Sequence, residues 1–281
     1  MQIVPLIQHI VRLCLTAVLL VGMTTTVSAG DDAKAALKSL AEGEHRSDKN
    51  KARNKFRHPV ETLSWLGLKE DMTVVEIYPG AGGWYTEIIA PFLRDSGQYY
   101  AASFDSESKS DFLRKGAKKF MEKLAAKPNI YSKVKVTELA PPTKSEIAPP
   151  GSADMVLTFR NVHNWMAAGG AETIFKSMHA ALKPGGILGV IEHRGNPEVE
   201  QDPKAKSGYV NQDYTIKLAE SVGFKFVESS EINANSKDTK DYPKGVWTLP
   251  PSYRLGDQDR DKYAAVGESD RMTLKFMKPT E

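Results

Sequence analysis

The stretch Thr73-Val74-Val75-Glu76-Ile77-Tyr78-Pro79-Gly80-Ala81-Gly82-Gly83-Trp84 decides the fold. Val74, Val75 and Ile77 read as a buried strand that carries an acid, Glu76, and runs into a glycine turn over 80–83. The run 84–93 behind it has helical character. A strand, a glycine-rich turn and a helix start build a pocket at the carboxyl edge of a parallel sheet. Glycines let a ligand approach the backbone closely, and Glu76 can accept hydrogen bonds from an amine or hydroxyl. An ordinary strand-to-helix turn with no ligand is the plainer alternative.

The spelling of the turn separates ligands. A dinucleotide fingerprint G-x-G-x-x-G needs a third glycine for close helix packing, and Tyr85 stands there, which argues against NAD or FAD. Working outward, the chain alternates. Strands are expected at 98–104, 134–137, 153–159, 187–191, 224–229 and 270–277, the last pairing antiparallel. Helices are expected at 111–127, 171–182 and 209–222, with a turn at Lys183-Pro184-Gly185-Gly186. The polar segment 196–208 reads as a lid. No internal repeat is visible.

Several strand ends carry polar residues that meet on the glycine-turn edge. Asp105 ends the second strand, where a carboxylate suits ribose hydroxyls, with helix capping as the alternative. Arg160, Asn161, His163, Asn164 and Trp165 follow the fourth strand. His163 is the first candidate for a general base, because histidine titrates near working pH; Asn164 and Trp165 are placed to orient a substrate. Capping and packing of that loop is an equal alternative. His193 and Arg194 end the fifth strand, as a second acid/base candidate and a substrate contact. His58 precedes Pro59, which biases it toward extended backbone, and with Arg57 it stands at a helix start as an anion clamp. Pairing of Arg57 with an acid such as Glu61 is the competing reading.

Residues 1–29 read as a signal peptide: Arg12, an apolar run over 13–23, then Val27-Ser28-Ala29. The alternative is an uncleaved anchor. Periplasmic or secreted localisation follows, with no stable membrane insertion after cleavage. Residues 30–70 read as a helical lead-in whose first part is mobile, and 71–281 as the main domain. The only cysteine, Cys14, lies in the leader, so the mature chain has no disulfide and no thiolate chemistry. Lys+Arg 38 nearly balance Asp+Glu 35, and no basic stretch interleaves with aromatics, so nucleic acid is not the expected partner. His58, His163 and His193 lack compact ligand spacing, so no metal site is expected.

Taken together, VVEIYPGAGG, Asp105, ADMVLTFRNVHNW, LKPGGILGVIEHR and AESVGFKFVE occur in an order that resembles the class I S-adenosylmethionine (SAM) methyltransferases, and most closely exported bacterial proteins of that kind. The resemblance covers most of the mature chain. It implies an α/β, Rossmann-like, seven-stranded, mostly parallel sheet with helices on both faces and the last strand inserted antiparallel between the fifth and sixth. It also implies SAM lying across motif I, at Glu76, Tyr78, Gly80 and Gly82, with its ribose at Asp105 and Glu138 near the adenine. Arg160 joins this cofactor set. Tyr78 departs from the pattern, which has glycine there; positive φ would strain it and its ring would narrow the pocket. The implied activity is methyl transfer to a small molecule. A non-catalytic binding protein, or an enzyme of another reaction on the same scaffold, remains open.

Overall fold

The computed structural model describes residues 29–280, so the leader expected over 1–29 lies outside them apart from its last residue. Seven strands form one sheet: β1 (Thr73–Ile77), β2 (Gln98–Ser103), β3 (Lys135–Glu138), β4 (Ala153–Phe159), β5 (Leu182–His193), β6 (Lys225–Ser230) and β7 (Arg271–Met277). Their order is β3-β2-β1-β4-β5-β7-β6. Only β7 runs antiparallel to its neighbours. The order reverses between β1 and β4, which opens a crevice at the carboxyl ends of the parallel strands.

Apolar runs in β1 and β4 follow from cover on both faces. Val75 and Ile77 point to a cluster with Phe175 and Met178 of the helix Ala171–Ala181. Val74 points the other way, to Ile88, Ile89 and Phe92 of the helix Thr86–Leu93 and to Leu63.

The lead-in is packed rather than mobile. Leu37 and Ala41 of α1 (Ala29–Glu42) are buried in the core on the side of the helix Thr86–Leu93, with Leu63 and Leu66 of the helix Pro59–Leu66. Trp84 anchors this layer: the guanidiniums of Arg46 and Arg57 each lie 4.6 Å from its ring, and its indole N–H donates to the Asn50 carbonyl at 3.2 Å. His58 is left-handed (φ 37°), not extended, because it joins two helices directly. The turn expected at 183–186 is instead the start of β5. There the Gly185 N–H donates to Lys278 O and the Lys278 N–H to Gly186 O, so the tail of β7 draws the segment into the sheet.

Side-chain alternation also turns Glu76 away from the crevice. It sits beneath the helix Thr86–Leu93, accepting from the Thr86 hydroxyl at 3.0 Å and from the Tyr99 hydroxyl. Burial pushes its carboxyl up from 4.5 to about 7, against the pull of those two bonds. A carboxyl raised on folding binds more protons in the native chain than in the unfolded one between these values. Its contribution to stability is therefore full below about 4.5 and is lost as pH rises through about 7. Glu76→Gln should be more stable than wild type at pH 8, by up to about 3 kcal/mol, with the gain gone near pH 4. Urea unfolding at both pH values checks it; an equal change at both contradicts it.

Candidate active site

A cleft of about 940 Å³ occupies the crevice. Its floor is made by residues just past β1, β2, β4 and β5, and its roof by 246–254, including Trp247 and Arg254. The expected lid, 196–208, contributes nothing to the lining; it is tied down by the Val246 N–H, which donates to Ser207 O, and the Asn211 N–H, which donates to Gln201 Oε1.

Two lining residues other than glycine have left-handed backbone, Tyr78 (φ 47°) after β1 and Arg160 (φ 62°) after β4. Such conformations cost about 1–3 kcal/mol each and persist where the surroundings enforce them. Tyr78 is enforced by its ring, 4.8 Å from Phe104 and 6.2 Å from Trp165, and by its hydroxyl, which donates to Leu139 O at 2.7 Å. Burial and the charge of Asp105 push its phenol up to about 12. The strain expected of a tyrosine in the first-glycine position is present, and the ring lies across the floor of the cleft.

At the β2–β3 end, Phe104, Phe112, Leu139 and Pro141 form an apolar slot with Asp105 at its edge. Phe112 is 76% exposed there. Asp105 accepts from Lys144 Nζ at 2.6 Å and the Glu107 N–H at 3.0 Å, and Lys144 holds its carboxyl below the usual range. Glu138 faces a separate depression outside the cleft, where it accepts from the Ser106 N–H and pairs with the same lysine. Gly80 and Gly82 do not line the cleft, and a Cβ on either would meet nothing within 4 Å. Gly83 is the sterically required glycine: a Cβ there would lie 2.9 Å from Phe120.

At the β4–β5 end, His163 lies in the helix Val162–Ala168 and His193 ends β5, with ring centroids 5.4 Å apart. Glu192, fully buried, accepts from His163 Nδ1 (3.0 Å), the His163 N–H (3.2 Å) and the His193 N–H (2.7 Å). Glu192, the acceptor of both backbone N–H groups, accepts from His163 Nδ1 as well, which places a proton on Nδ1 and fixes the orientation of the ring. His193 Nδ1 lies 2.5 Å from Ser269 Oγ, and burial, His163 and nearby arginines push its pKa well down, so it is neutral at working pH. His163, Glu192 and His193 thus do come together, with ligand atoms within 4.8 Å, although their spacing in sequence gave no hint of it. Their surroundings oppose a cation: Arg271, Arg160 and Arg57 all act on His193.

Those arginines surround Glu268, which accepts from Arg53 Nε (2.5 Å), Arg57 Nε (3.2 Å) and Arg271 Nη2. Arg57 therefore pairs with an acid distant in sequence, not with Glu61. Arg160 belongs to this group, since burial and Arg271 pull its guanidinium down to about 10. His58 lies elsewhere, in a shallow depression beside α1. Arg194 is tied outside the cleft by Glu231 and Asp270. Asn164 and Trp165 do line the cleft. Glu192, Trp247, Glu268, Ser269 and Arg271 were not singled out from the sequence. The available signal for the last two was topological: an antiparallel last strand enters the sheet from the ligand edge.

Neither a protein-family model nor a curated protein matches the chain. Solved structures do. A SAM-dependent methyltransferase from Aquifex aeolicus has TM-score 0.52 at 16% identity, over 87% of this chain and 98% of that one. A putative sarcosine dimethylglycine methyltransferase from Galdieria sulphuraria has TM-score 0.51 at 10% identity, over 90% and 100%. The cyclase SpnF has TM-score 0.51 at 15% identity, over 89% and 93%. The chain has the class I methyltransferase fold. The expected seven-stranded, mostly parallel sheet with its antiparallel insertion is the one found.

Removing the one carboxylate among these arginines leaves buried charges uncompensated. Glu268→Gln should cost about 3–5 kcal/mol in urea unfolding; a loss within experimental error contradicts the assigned role.

Proposed function

We propose that the chain is a SAM-dependent methyltransferase acting on a small molecule in the periplasm. The observation that carries this reading is that Asp105 and the His163–His193 pair line one cleft at the strand-order reversal. The residues fit the adenosine half of SAM. Phe104, Phe112 and Pro141 offer apolar walls to a base, and Asp105 offers an acceptor to ribose hydroxyls. Tyr78 sits where the methionine half would run. Glu76, Gly80, Gly82 and Glu138, turned to other surroundings, drop out of the cofactor set, and Arg160, grouped with Arg271 at the His163–His193 end, leaves it for the acceptor side.

SAM supplies a methyl group on a good leaving group, so the protein has to align an acceptor and remove its proton. His163 removes that proton through Nε2, with its Nδ1–H held by Glu192. Neutral His193, Asn164 and Trp165 position the acceptor. The roof of Trp247, 5.9 Å from the His163 ring, restricts water at that end. The leader read from residues 1–29 supports the periplasmic part of the proposal.

A second reading rests on Tyr78. Its clamped ring favours a different small ligand, bound or transformed without methyl transfer, and the similarity to a cyclase is in keeping with that.

Calorimetric titration of the chain from Gly30 onward separates the two. Micromolar binding of SAM and S-adenosylhomocysteine, none of NAD, and loss in Asp105→Ala are the expected results. No adenosyl binding overturns methyl transfer in favour of the second reading. With an acceptor in hand, His163→Ala should lower turnover by about a hundredfold or more while leaving S-adenosylhomocysteine affinity intact; unchanged turnover removes His163 from the mechanism.

A further inference from the structure

The charge in the cleft is one-sided. Its lining holds Arg160, Arg254 and Arg271 against a single acid, Asp105, which stands at the opposite end and shares Lys144 with Glu107 and Glu138. Behind Arg160 and Arg271 lie Arg53 and Arg57, and Glu268 is the carboxylate that serves the group. Four guanidiniums against Glu268 leave an excess of positive charge, which Glu192, held by His163 and the His193 N–H, offsets only in part. Hydrogen-bonding capacity is in surplus too. Arg271 is 3% exposed and lines the cleft, yet its Nε has no partner, nor do Arg53 Nη2 and Arg57 Nη1. The Arg160 side chain makes no hydrogen bond among the described residues, although it opens onto the cleft. Charges without partners are costly to bury, and Arg160, half-buried in the wall of the cleft, is open to an acceptor that enters it.

We propose that Arg160 and Arg271 form an anion subsite at the His163–His193 end of the cleft, which takes a carboxylate or phosphate group of the small-molecule substrate.

The unpaired planar fork of Arg160 matches oxyanion geometry, and each such bond is charge-assisted; Arg271, whose Nη1 donates to Phe56 O and Nη2 to Glu268, adds its charge beside it. The same surplus repels a divalent cation, so the neighbouring His163–Glu192–His193 cluster serves proton transfer and orientation, not metal binding. Above the subsite, Trp247 carries Arg254 on its face at 4.6 Å. An apolar body attached to the anion therefore has an aromatic surface to lie against. The inference deepens the reading of this cleft given above, and its test needs no methyl transfer, so each can fail alone.

The probes are benzoate and inorganic phosphate, titrated calorimetrically into the chain from Gly30 onward in chloride buffer, with benzyl alcohol as the uncharged counterpart of benzoate. Saturable binding of at least one anion and none of benzyl alcohol is expected. Arg160→Gln should weaken the anion by about tenfold or more. S-adenosylhomocysteine affinity, measured on the same variant, is expected to hold, which assigns the subsite to the substrate and not to the carboxylate of the cofactor. Binding of neither anion, equal binding of benzoate and benzyl alcohol, or an Arg160→Gln variant that binds anions as wild type does overturns the proposal. So does loss of S-adenosylhomocysteine affinity in that variant with anion affinity retained. The wild-type comparison of benzoate with benzyl alcohol stands without any variant.

Discussion

One buried carboxylate ties the chain together across its length. Glu268 binds Arg53 and Arg57 from the N-terminal helices and Arg271 from the start of the last strand. Without it those guanidiniums would face one another in a poorly solvated interior, where like charges interact strongly. With it, the N-terminal layer, seated on Trp84, is fixed against the edge of the sheet that carries the cleft. Attraction to Glu268 does not balance the group, and that excess gives one end of the cleft its sign.

The other end has a different chemistry for a reason that also lies in strand order. β2 and β3 end in Phe104, Asp105 and Leu139, so their side offers apolar walls with one acid. β4, β5 and β7 meet on the other side, and their ends bring Arg160, His163, Glu192, His193 and Arg271 together. Tyr78 stands between the two halves, held at positive φ by contacts on both sides. A glycine there would relieve the strain but leave Phe104 and Trp165 without the ring they pack on.

The fold was legible because its signals are local. Apolar runs punctuated by glycine and proline mark β1, β4 and β5, and their succession through helices dictates a parallel sheet. Strand alternation is legible as well, and it puts Glu76 with Val74 on the face covered by the helix Thr86–Leu93, away from the ligand edge. The site was legible only where residues follow strands directly, as with Tyr78, Asp105, His163 and Trp165. What escaped depends on distant pairing. His163 and His193 meet because β4 and β5 are neighbours, and no spacing within the chain encodes that. Arg57 finds Glu268, far along the chain, in place of nearby Glu61. The LKPGG segment reads as a helix stop from its own residues, and pairing of Leu182 with Ala153 of β4 and of its glycines with the tail of β7 makes it strand.

The central claim is that one cleft holds an adenosyl group at Asp105 and an acceptor at His163. A crystal structure of the chain with S-adenosylhomocysteine tests it most directly. The account predicts the base between Phe104 and Pro141, ribose hydroxyls on Asp105, and the sulfur turned toward the His163 end past a displaced or flanking Tyr78. Ligand density outside this cleft, or a base lying at the arginine end, would contradict it.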